Sequence, residues 1–202
     1  SLYSDLGVKE SPLFLAVNII NRYLSKEHIS IKKFQLLGVT ALMLAIKYEE
    51  IFSPNITEFS RITDHAYSKE EIINMEYKIL SVLNFDLSLP NEFNLFEIMS
   101  VKFNFSKEEY FNGLYFLIVF LLNENMMKFS PLEIAEAICF FIGFFSKNKS
   151  IQEYFSFGKN VSKNAVQEIL FFEKNIFKKE KISSKSKILK IFEKEGINIR
   201  TC

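Results

Sequence analysis

The chain has 202 residues, of which 49% are hydrophobic and 24% are charged, and its net charge is +1. This composition is typical of a globular protein rather than a disordered one, and the near-neutral charge shows no general electrostatic footprint for nucleic acid or an anionic membrane. Six glycines and four prolines occur beside 23 phenylalanines. Because helix breakers are so rare, we expect long helices rather than strands and turns.

The number and spacing of the cysteines and the length of the apolar runs bear on whether the chain is disulfide-bonded, metal-binding or membrane-spanning. The two cysteines, Cys139 and Cys202, lie far apart and predict neither a disulfide framework nor a metal site. This usage favours an intracellular protein, and no cofactor is expected. The longest apolar run, from Leu114 to Leu122, has about half the length that a membrane-spanning helix requires.

The first two predicted helices differ in character. The first begins at Ser11, a typical capping residue, with Pro12 at its first helical position. Its apolar positions at helical spacing are Leu13, Val17, Ile20 and Leu24. The second runs from about Ile31 to Glu50 and is apolar around most of its circumference, which is typical of a buried central helix. The small residues expected to let its neighbours approach closely are Gly38, Ala41 and Ala45.

Pro54 separates the second helix from a short helix over about 56–63. Ser68 and Glu71 then form a predicted capping box for a helix that runs to about Leu83. Residues 84–90 predict an extended linker, since the residue before a proline avoids helical geometry. Further helices are predicted near 91–103, 106–124, 131–146, 162–178 and 184–195, with 149–158 left unassigned. The chain is therefore predicted to be all-α, with one helical bundle over 1–88 and another over 89–202.

Two charged residues occupy unusual positions in this pattern. Lys47 follows a long uncharged run and lies in line with apolar positions of the second helix. Glu76 falls within an apolar seam formed by Ile72, Ile79, Leu80 and Leu83. Such charges can form an intramolecular salt bridge or reach solvent over their neighbours. Alternatively, they can form a polar pair within an apolar protein interface. The spacing alone leaves both interpretations open.

Several segments of the first half resemble a cyclin box. Residues 15–25 are similar to its second helix and 34–51 to its third, including Lys47-Tyr48-Glu49-Glu50-Ile51. The segments that follow in cyclin order are Ile62-Thr63-Asp64, Tyr67-Ser68-Lys69, Met75-Glu76-Tyr77-Lys78-Ile79-Leu80 and Leu83-Asn84-Phe85-Asp86-Leu87. The resemblance is to A- and B-type mitotic cyclins and is dense over 11–90. It is weaker afterwards, where 127–131 resembles the start of the central helix of the C-terminal repeat.

The resemblance implies two consecutive cyclin-box bundles and a regulatory role in cell division. A cyclin is a non-catalytic subunit, nuclear or cytoplasmic, that binds and activates a cyclin-dependent serine/threonine kinase by holding the kinase C-helix in its active position. Lys47 and Glu76 match the residues that contact the kinase in cyclins. The other positions implied to face the kinase are Glu50, Ile51, Leu80, Phe85 and Leu87. Phe85 lies between two leucines, which is also typical of a core position.

A second cyclin surface docks substrates or inhibitors, and here the chain departs from the family. That surface combines an M-R-x-I-L first helix with the start of the third helix. Only Phe34 and Gln35 match it, because residues 1–10 do not contain this first-helix motif. The first bundle is therefore expected to lack most of its first helix, and substrate docking remains an open prediction.

Two other classes of function compete with the kinase activator. A cyclin-like transcription-associated factor or scaffold that binds nucleic acid or peptides would use the basic stretch Lys174, Lys178, Lys179, Lys181, Lys185, Lys187 and Lys190. Interspersed glutamates weaken that interpretation, since such a run is usually a solvated helix face. An enzyme is disfavoured because His28 and His65 belong to no catalytic constellation, and His65 is expected in a turn.

Overall fold

The computed structural model describes residues 9–156, 162 and 164–168, and the regular elements of this part are all helical. The α-helices are α1 (Ser11–Leu24), α2 (Phe34–Glu49), α3 (Ile56–Ile62), α4 (Lys69–Val82), α5 (Glu92–Lys102), α6 (Lys107–Phe120), α7 (Pro131–Ser146) and α8 (Lys149–Ser156). Short 3-10 helices cover Ile31–Lys33 and Glu124–Lys128, and 164–168 is also helical. The all-α prediction is confirmed. The chain divides into two compact units between Asn91 and Glu92.

Helix α2 is the central element of the first unit, where it packs against α1, α3 and α4. Ala41 and Ala45 are fully buried, as predicted for positions of close approach. Gly38 is different, because a Cβ placed on it would meet nothing within 4 Å. The expectation that Gly38 serves close packing is therefore wrong. A helix that is apolar all round does not reveal from its sequence which side its neighbours occupy.

Helix α1 begins where predicted but buries another face. Glu10 occupies the capping position without a side-chain capping bond, so Ser11 is the first helical residue rather than the cap. The predicted apolar positions are only half-buried. The buried side chains are Pro12, Phe14, Leu15, Ala16, Ile19 and Tyr23. The large aromatic side chains Phe14 and Tyr23 decide the buried face, since they remove the most apolar area from water.

Helix α4 begins with the predicted capping box. The Glu71 amide donates to Ser68 Oγ over 3.2 Å, and the Ser68 amide donates to Glu71 Oε2 over 2.9 Å. The chain after α4 is not extended at first, because Asn84 and Phe85 adopt left-handed φ values of 54° and 58°. The Phe85 amide then donates to the Leu80 carbonyl over 2.8 Å. The linker prediction is wrong for these two residues.

In the second unit α7 packs against α5, α6 and α8. Helix α6 ends at Phe120, earlier than predicted, and the chain then turns into the second 3-10 helix. Serine–glutamate capping boxes open α6 at Ser106 and α7 at Ser130. The unassigned segment near 149–158 contains α8. Most of the predicted helix over 162–178 and all of that over 184–195 lie outside the described residues.

Candidate functional site

Lys47 and Glu76 meet on the surface of the first unit. Lys47 lies in the last turn of α2 and Glu76 near the middle of α4, and Lys47 Nζ is 2.8 Å from Glu76 Oε1. The predicted intramolecular salt bridge is therefore present. The Lys47 side chain is 43% exposed and that of Glu76 is 18% exposed. A pair this accessible contributes about 0–1 kcal/mol to the stability of the fold. Its contribution to stability therefore does not account for its presence.

Both charges lie at the edge of a buried helix face. On α2, the predicted neighbours Thr40, Met43 and Leu44 are buried. On α4 the buried residues are Ile72, Met75 and Ile79, so Glu76 borders the apolar seam rather than lying within it. Because α2 and α4 pack together, the two edges come close enough for the charges to pair.

The outward side of α4 continues from Glu76 with the predicted Leu80 and with two apolar side chains, Ile73 and Tyr77, that the sequence analysis missed. Ile73 and Tyr77 are exposed, and Leu80 is half-buried. Their spacing of four and then three residues places them in one row along the helix. The same spacing was readable in the sequence, but it looked like part of the core seam that runs through Ile72 and Ile79.

The chain after α2 adds further exposed apolar groups beside Lys47. Tyr48 is exposed in the last turn, and Ile51 and Phe52 follow it with 91% and 90% of their surfaces exposed. The neighbouring Glu50 is half-buried, and its Oε1 accepts from the Lys9 amide over 3.4 Å. Ile51 is therefore accessible, as its proposed role requires.

A half-buried carboxyl, that of Glu49, lies next to these groups in the chain. Burial raises the pKa of Glu49, and the nearby charge of Glu50 raises it further, while a hydrogen bond from the Ser11 side chain opposes both effects. Among the described residues, Glu49 Oε2 has no hydrogen-bond partner. In the folded chain, the ionised form of the Glu49 carboxyl in the last turn of α2 is therefore disfavoured relative to a carboxyl in water.

The turn after α4 separates Phe85 from Leu87. Phe85 is 66% exposed, whereas Leu87 is 8% exposed and belongs to the core of the first unit. Phe85 is therefore not the core residue that its leucine neighbours suggested. Leu87 does not present an accessible side chain in this structure. The left-handed turn reverses the chain between them, which periodicity cannot reveal.

Asp86 fastens this turn to α1. Its Oδ2 lies 3.7 Å from Arg22 Nη2. The hydroxyl and then the amide of Ser88 donate to the Asp86 carboxylate and, together with the Arg22 charge, lower the pKa of that carboxyl. Phe85 is thus held on the surface by a turn with several polar contacts.

We define the Lys47–Glu76 surface as the ion pair together with the exposed or half-buried apolar groups of α4, of the end of α2 and of the turns that follow these two helices. Its apolar members are Tyr48, Ile51, Phe52, Ile73, Tyr77, Leu80 and Phe85. Soluble proteins rarely expose so many large apolar side chains near one polar pair unless the surface binds another molecule. Aromatic side chains are also enriched in protein interfaces.

The two docking candidates lie at the opposite end of α2. Phe34 begins the helix with half of its surface exposed, and Gln35 is exposed beside it. The Tyr67 hydroxyl lies 3.4 Å from Gln35 Oε1. Because a helix rises about 1.5 Å per residue, Phe34 and Lys47 are separated by about 20 Å along α2. The structure therefore does not merge the docking candidates with the Lys47–Glu76 surface.

A candidate metal centre is not found in the described part of the chain. Within residues 9–156, 162 and 164–168, no group of three histidine, cysteine or acidic side chains could hold a metal ion. His65 lies in a turn with a left-handed φ of 58°, as predicted. No helix in this part is both long and apolar enough to cross a bilayer. The basic stretch that begins at Lys174 lies outside the described residues.

Comparison with known proteins agrees with this geometry. Residues 2–88 match the cyclin N-terminal domain. The chain is 37% identical over 136 residues to the G2/mitotic-specific cyclin cig2 of Schizosaccharomyces pombe, across 67% of this chain and 33% of that protein. It is 36% identical over 136 residues to human G2/mitotic-specific cyclin-B2, across 67% of this chain and 34% of that protein. The chain belongs to the cyclin family. The predicted resemblance is thus confirmed.

Other cyclins align over more of the chain. The G2/mitotic-specific cyclin-B2 of Macaca fascicularis is 32% identical over 201 residues, which cover 94% of this chain and half of that protein. A viral cyclin from herpesvirus saimiri superposes with a TM-score of 0.71 at 17% identity, over 85% of this chain and 79% of that one. The structural likeness supports a cyclin fold. The chain spans only about a third of the length of the first two relatives.

Proposed function

We propose that this cyclin is a regulatory subunit that binds and activates a cyclin-dependent serine/threonine kinase in cell-cycle control. The observation that carries the proposal is the Lys47–Glu76 surface, in which an accessible ion pair is bordered by exposed aromatic and aliphatic side chains. The relatives named as mitotic cyclins support the assignment to cell division. A likeness to the CAK complex of Chaetomium thermophilum, with a TM-score of 0.58, concerns the fold.

The mechanism follows from what a kinase needs in order to be active. The lysine that orients ATP must pair with a glutamate on the kinase C-helix, and the position of that helix controls the pairing. A rigid surface that binds only the inward position of the C-helix shifts the kinase toward its active state. The shift cannot exceed the difference between the two binding free energies. This chain contributes no catalytic group to the reaction.

The residues of the surface have distinct roles in this mechanism. Lys47 and Glu76 are already paired and leave donors and acceptors for polar groups that flank the kinase helix. Phe85 and Tyr77 supply rigid apolar area, since an aromatic ring loses little conformational entropy on binding. Ile51 and Leu80 extend the contact, whereas Leu87 supports the turn from below. Glu50 would contact the kinase at the edge of this interface.

The test replaces the ion pair and compares it with a second lysine–glutamate pair that also has one member on α4. Lys47→Ala plus Glu76→Ala should weaken binding to a purified cyclin-dependent kinase by about thirtyfold or more, as at a binding hot spot, and abolish activation. The control is Lys78→Ala plus Glu27→Ala, which removes another lysine–glutamate pair, 3.8 Å apart, between α4 and the segment that follows α1. This control should bind normally.

Three quantities are measured: the affinity for the kinase by isothermal titration calorimetry, the phosphorylation of histone by the cyclin–kinase complex, and the folding of the free chain by circular dichroism. Both double variants should remain folded, because an accessible ion pair contributes little to stability; the control also removes the contact of Lys78 with the Tyr23 ring, 5.8 Å away, so it is the harsher change for folding. Normal kinase binding by the Lys47/Glu76 variant would contradict the assignment of this surface. If that variant unfolds and the unmodified chain binds no cyclin-dependent kinase, the pair is structural only.

A further inference from the structure

Three of the four prolines in the chain directly follow a serine, namely at Ser11-Pro12, Ser53-Pro54 and Ser130-Pro131. Serine followed by proline is the minimal acceptor sequence of proline-directed protein kinases. These enzymes bind their substrate as an extended peptide, and a proline favours extended geometry in the residue before it. The three dipeptides are equivalent as sequence, so the fold decides which serine is accessible in the required conformation.

Two of these serines are engaged at helix starts. Ser11 lies in the first turn of α1, and its side chain hydrogen-bonds to the carboxylate of Glu49. Ser130 caps α7, where its hydroxyl accepts from the Glu133 amide over 3.3 Å and donates to Glu133 Oε2 over 2.9 Å. The residues that follow each serine are helical. Phosphoryl transfer to either serine would require unwinding the first turn and losing its hydrogen bonds.

Ser53 lies in a different environment, within the six residues 50–55 that join α2 to α3. The backbone is extended at both ends of this segment, with ψ of 142° at Glu50 and 147° at Asn55. Ser53 is exposed, and the preceding Ile51 and Phe52 are almost fully exposed. Its hydroxyl makes only a long contact, 3.4 Å, with the Pro54 carbonyl oxygen. A kinase can therefore take up this segment without unwinding a helix.

We propose that Ser53 is a phosphoacceptor for a proline-directed serine/threonine kinase, and that the phosphate weakens docking of the partner kinase on the Lys47–Glu76 surface. In the transfer, Ser53 Oγ attacks the γ-phosphorus of ATP and forms a new O–P bond. The bond from that phosphorus to the β–γ bridging oxygen breaks, and ADP leaves with its electron pair. The hydroxyl proton passes to the catalytic aspartate of the modifying kinase.

The effect on docking follows from the residues around Ser53. A phosphate adds about −1.5 to −2 charges at neutral pH. It would stand next to the exposed Phe52 and shortly after the carboxylates Glu49 and Glu50. A partner that covers Phe52 must desolvate this charge, and a phosphate that attracts Lys47 draws it away from Glu76. Either effect opposes binding. This second half of the proposal rests on the proposed function.

The acceptor site is tested without the proposed partner kinase. The full chain is incubated with ATP and a purified mitogen-activated protein kinase, which requires proline after its acceptor serine, and the product is mapped by mass spectrometry. One phosphate is expected, on Ser53. Ser53→Ala and Pro54→Ala should both lose it, and Ser53→Thr should keep it. A chain that remains unmodified, or carries its phosphate on Ser11 or Ser130 instead, overturns the assignment.

The regulatory half is tested by titrating modified and unmodified chain with a cyclin-dependent kinase. Phosphorylation should raise Kd by about tenfold or more, since an uncompensated charge at an interface costs well over a kilocalorie per mole. Ser53→Ala taken through the same incubation should bind as the unmodified chain does. Equal binding by modified and unmodified chain refutes the regulatory half alone. If even the unmodified chain binds no such kinase, the proposed function and the regulatory half both fail, while the mapped phosphate stands.

Discussion

The two units of this cyclin differ in whether aromatic side chains are exposed on their surfaces. In the second unit aromatic rings pack on one another, with centroids 5.8 Å apart for Phe96 and Phe105 and 4.8 Å apart for Phe116 and Phe141. The core of the first unit contains the fully buried Phe14, Tyr23 and Phe59 among mainly aliphatic side chains. Among its described residues, the exposed aromatic side chains are Phe34, Tyr48, Phe52, Tyr77 and Phe85.

The exposed apolar residues of the second unit have a different chemistry. Among its described residues, the large hydrophobic side chains that are exposed are Ile98, Val101, Leu122, Met127 and Leu132, none of them aromatic. Aromatic groups stabilise a core through area and ring packing, but on a surface they supply rigid contact area for a partner. Aromatic residues therefore contribute to both cores, but among the described residues only the first unit also exposes them, on a candidate binding surface.

The largest effect is expected from Phe96→Ala in the aromatic core of the second unit. Phe96 is fully buried and packs against Phe105 and Tyr110. Removing its ring should lower the free energy of unfolding by about 3–5 kcal/mol, because the surrounding rings cannot fill the cavity. Urea denaturation followed by circular dichroism measures this. A loss below about 1 kcal/mol would show that the ring cluster is not the core of this unit.

The opposite outcome is expected for the exposed rings of the first unit. Tyr77→Ala and Phe85→Ala should each weaken kinase binding by about 2 kcal/mol, as hot-spot aromatic residues do, while unfolding changes by less than about 0.5 kcal/mol. Ile98→Ala, an exposed position of the second unit, is the control and should change neither quantity. If the two aromatic variants lose stability but bind normally, these rings serve folding and the contrast between the units disappears.

Two matched glycine-to-alanine substitutions, one in each unit, should change the free energy of unfolding in opposite directions. A Cβ on Gly113 in α6 would overlap the ring of the fully buried Phe96 and approach Ile142, whereas one on Gly38 in α2 meets nothing within 4 Å. Gly113→Ala should therefore destabilise the chain by about 1–3 kcal/mol through overpacking. Gly38→Ala should stabilise it by about 0.5–1 kcal/mol through helix propensity. Thermal unfolding of both variants checks the pair, and equal shifts would contradict the packing described for α6.

The smallest effects are expected from one carboxyl in each unit. Burial opposes ionisation of Glu109, but hydrogen bonds from Ser146, the Ser106 amide, Asn148 and the Ser106 hydroxyl outweigh it and lower the pKa. Glu109 therefore adds stability above the pKa of an unfolded glutamate, and this stability is lost as pH falls through the lowered value. Glu109→Gln should reduce the urea midpoint at pH 7, with the difference vanishing in acid.

Glu49 should behave in the reverse sense. Its raised pKa means that the folded chain holds the proton more tightly than the unfolded chain does. Folding is therefore favoured at low pH, and this advantage is lost as pH rises through the raised value. Glu49→Gln should increase the urea midpoint at pH 7 by a small amount. A decrease at pH 7 would show that the ionised carboxylate is stabilised rather than strained.

Local sequence was sufficient where local chemistry decides the structure. The capping box at Ser68 was predicted because serine and glutamate three residues apart satisfy each other's backbone partners without help from the rest of the fold. The cyclin motifs around Lys47 and Glu76 predicted the family because each is specific and is contained in a short stretch of sequence. Both charges then proved close enough to pair.

Local sequence was insufficient where several helices compete for the same apolar groups. Ile72 and Ile73 are adjacent isoleucines, yet the first is buried and the second exposed, because α2 covers only one side of α4. Periodicity indicates that a helix has an apolar side. The neighbouring helices decide how the helix is rotated about its axis, and therefore which apolar residues are buried. The roles assigned to the individual surface residues remain predictions.

The sequence by itself determined that Lys47 and Glu76 are exceptional, because a charge in an apolar run needs a partner or solvent whatever the fold. It also determined the helical class and the cyclin motifs. Only the tertiary structure decided that the two charges pair at 2.8 Å beside exposed rings, and that Phe85 faces solvent while Leu87 enters the core. The physical reason is that burial depends on which helices meet, and these contacts join residues far apart in the chain.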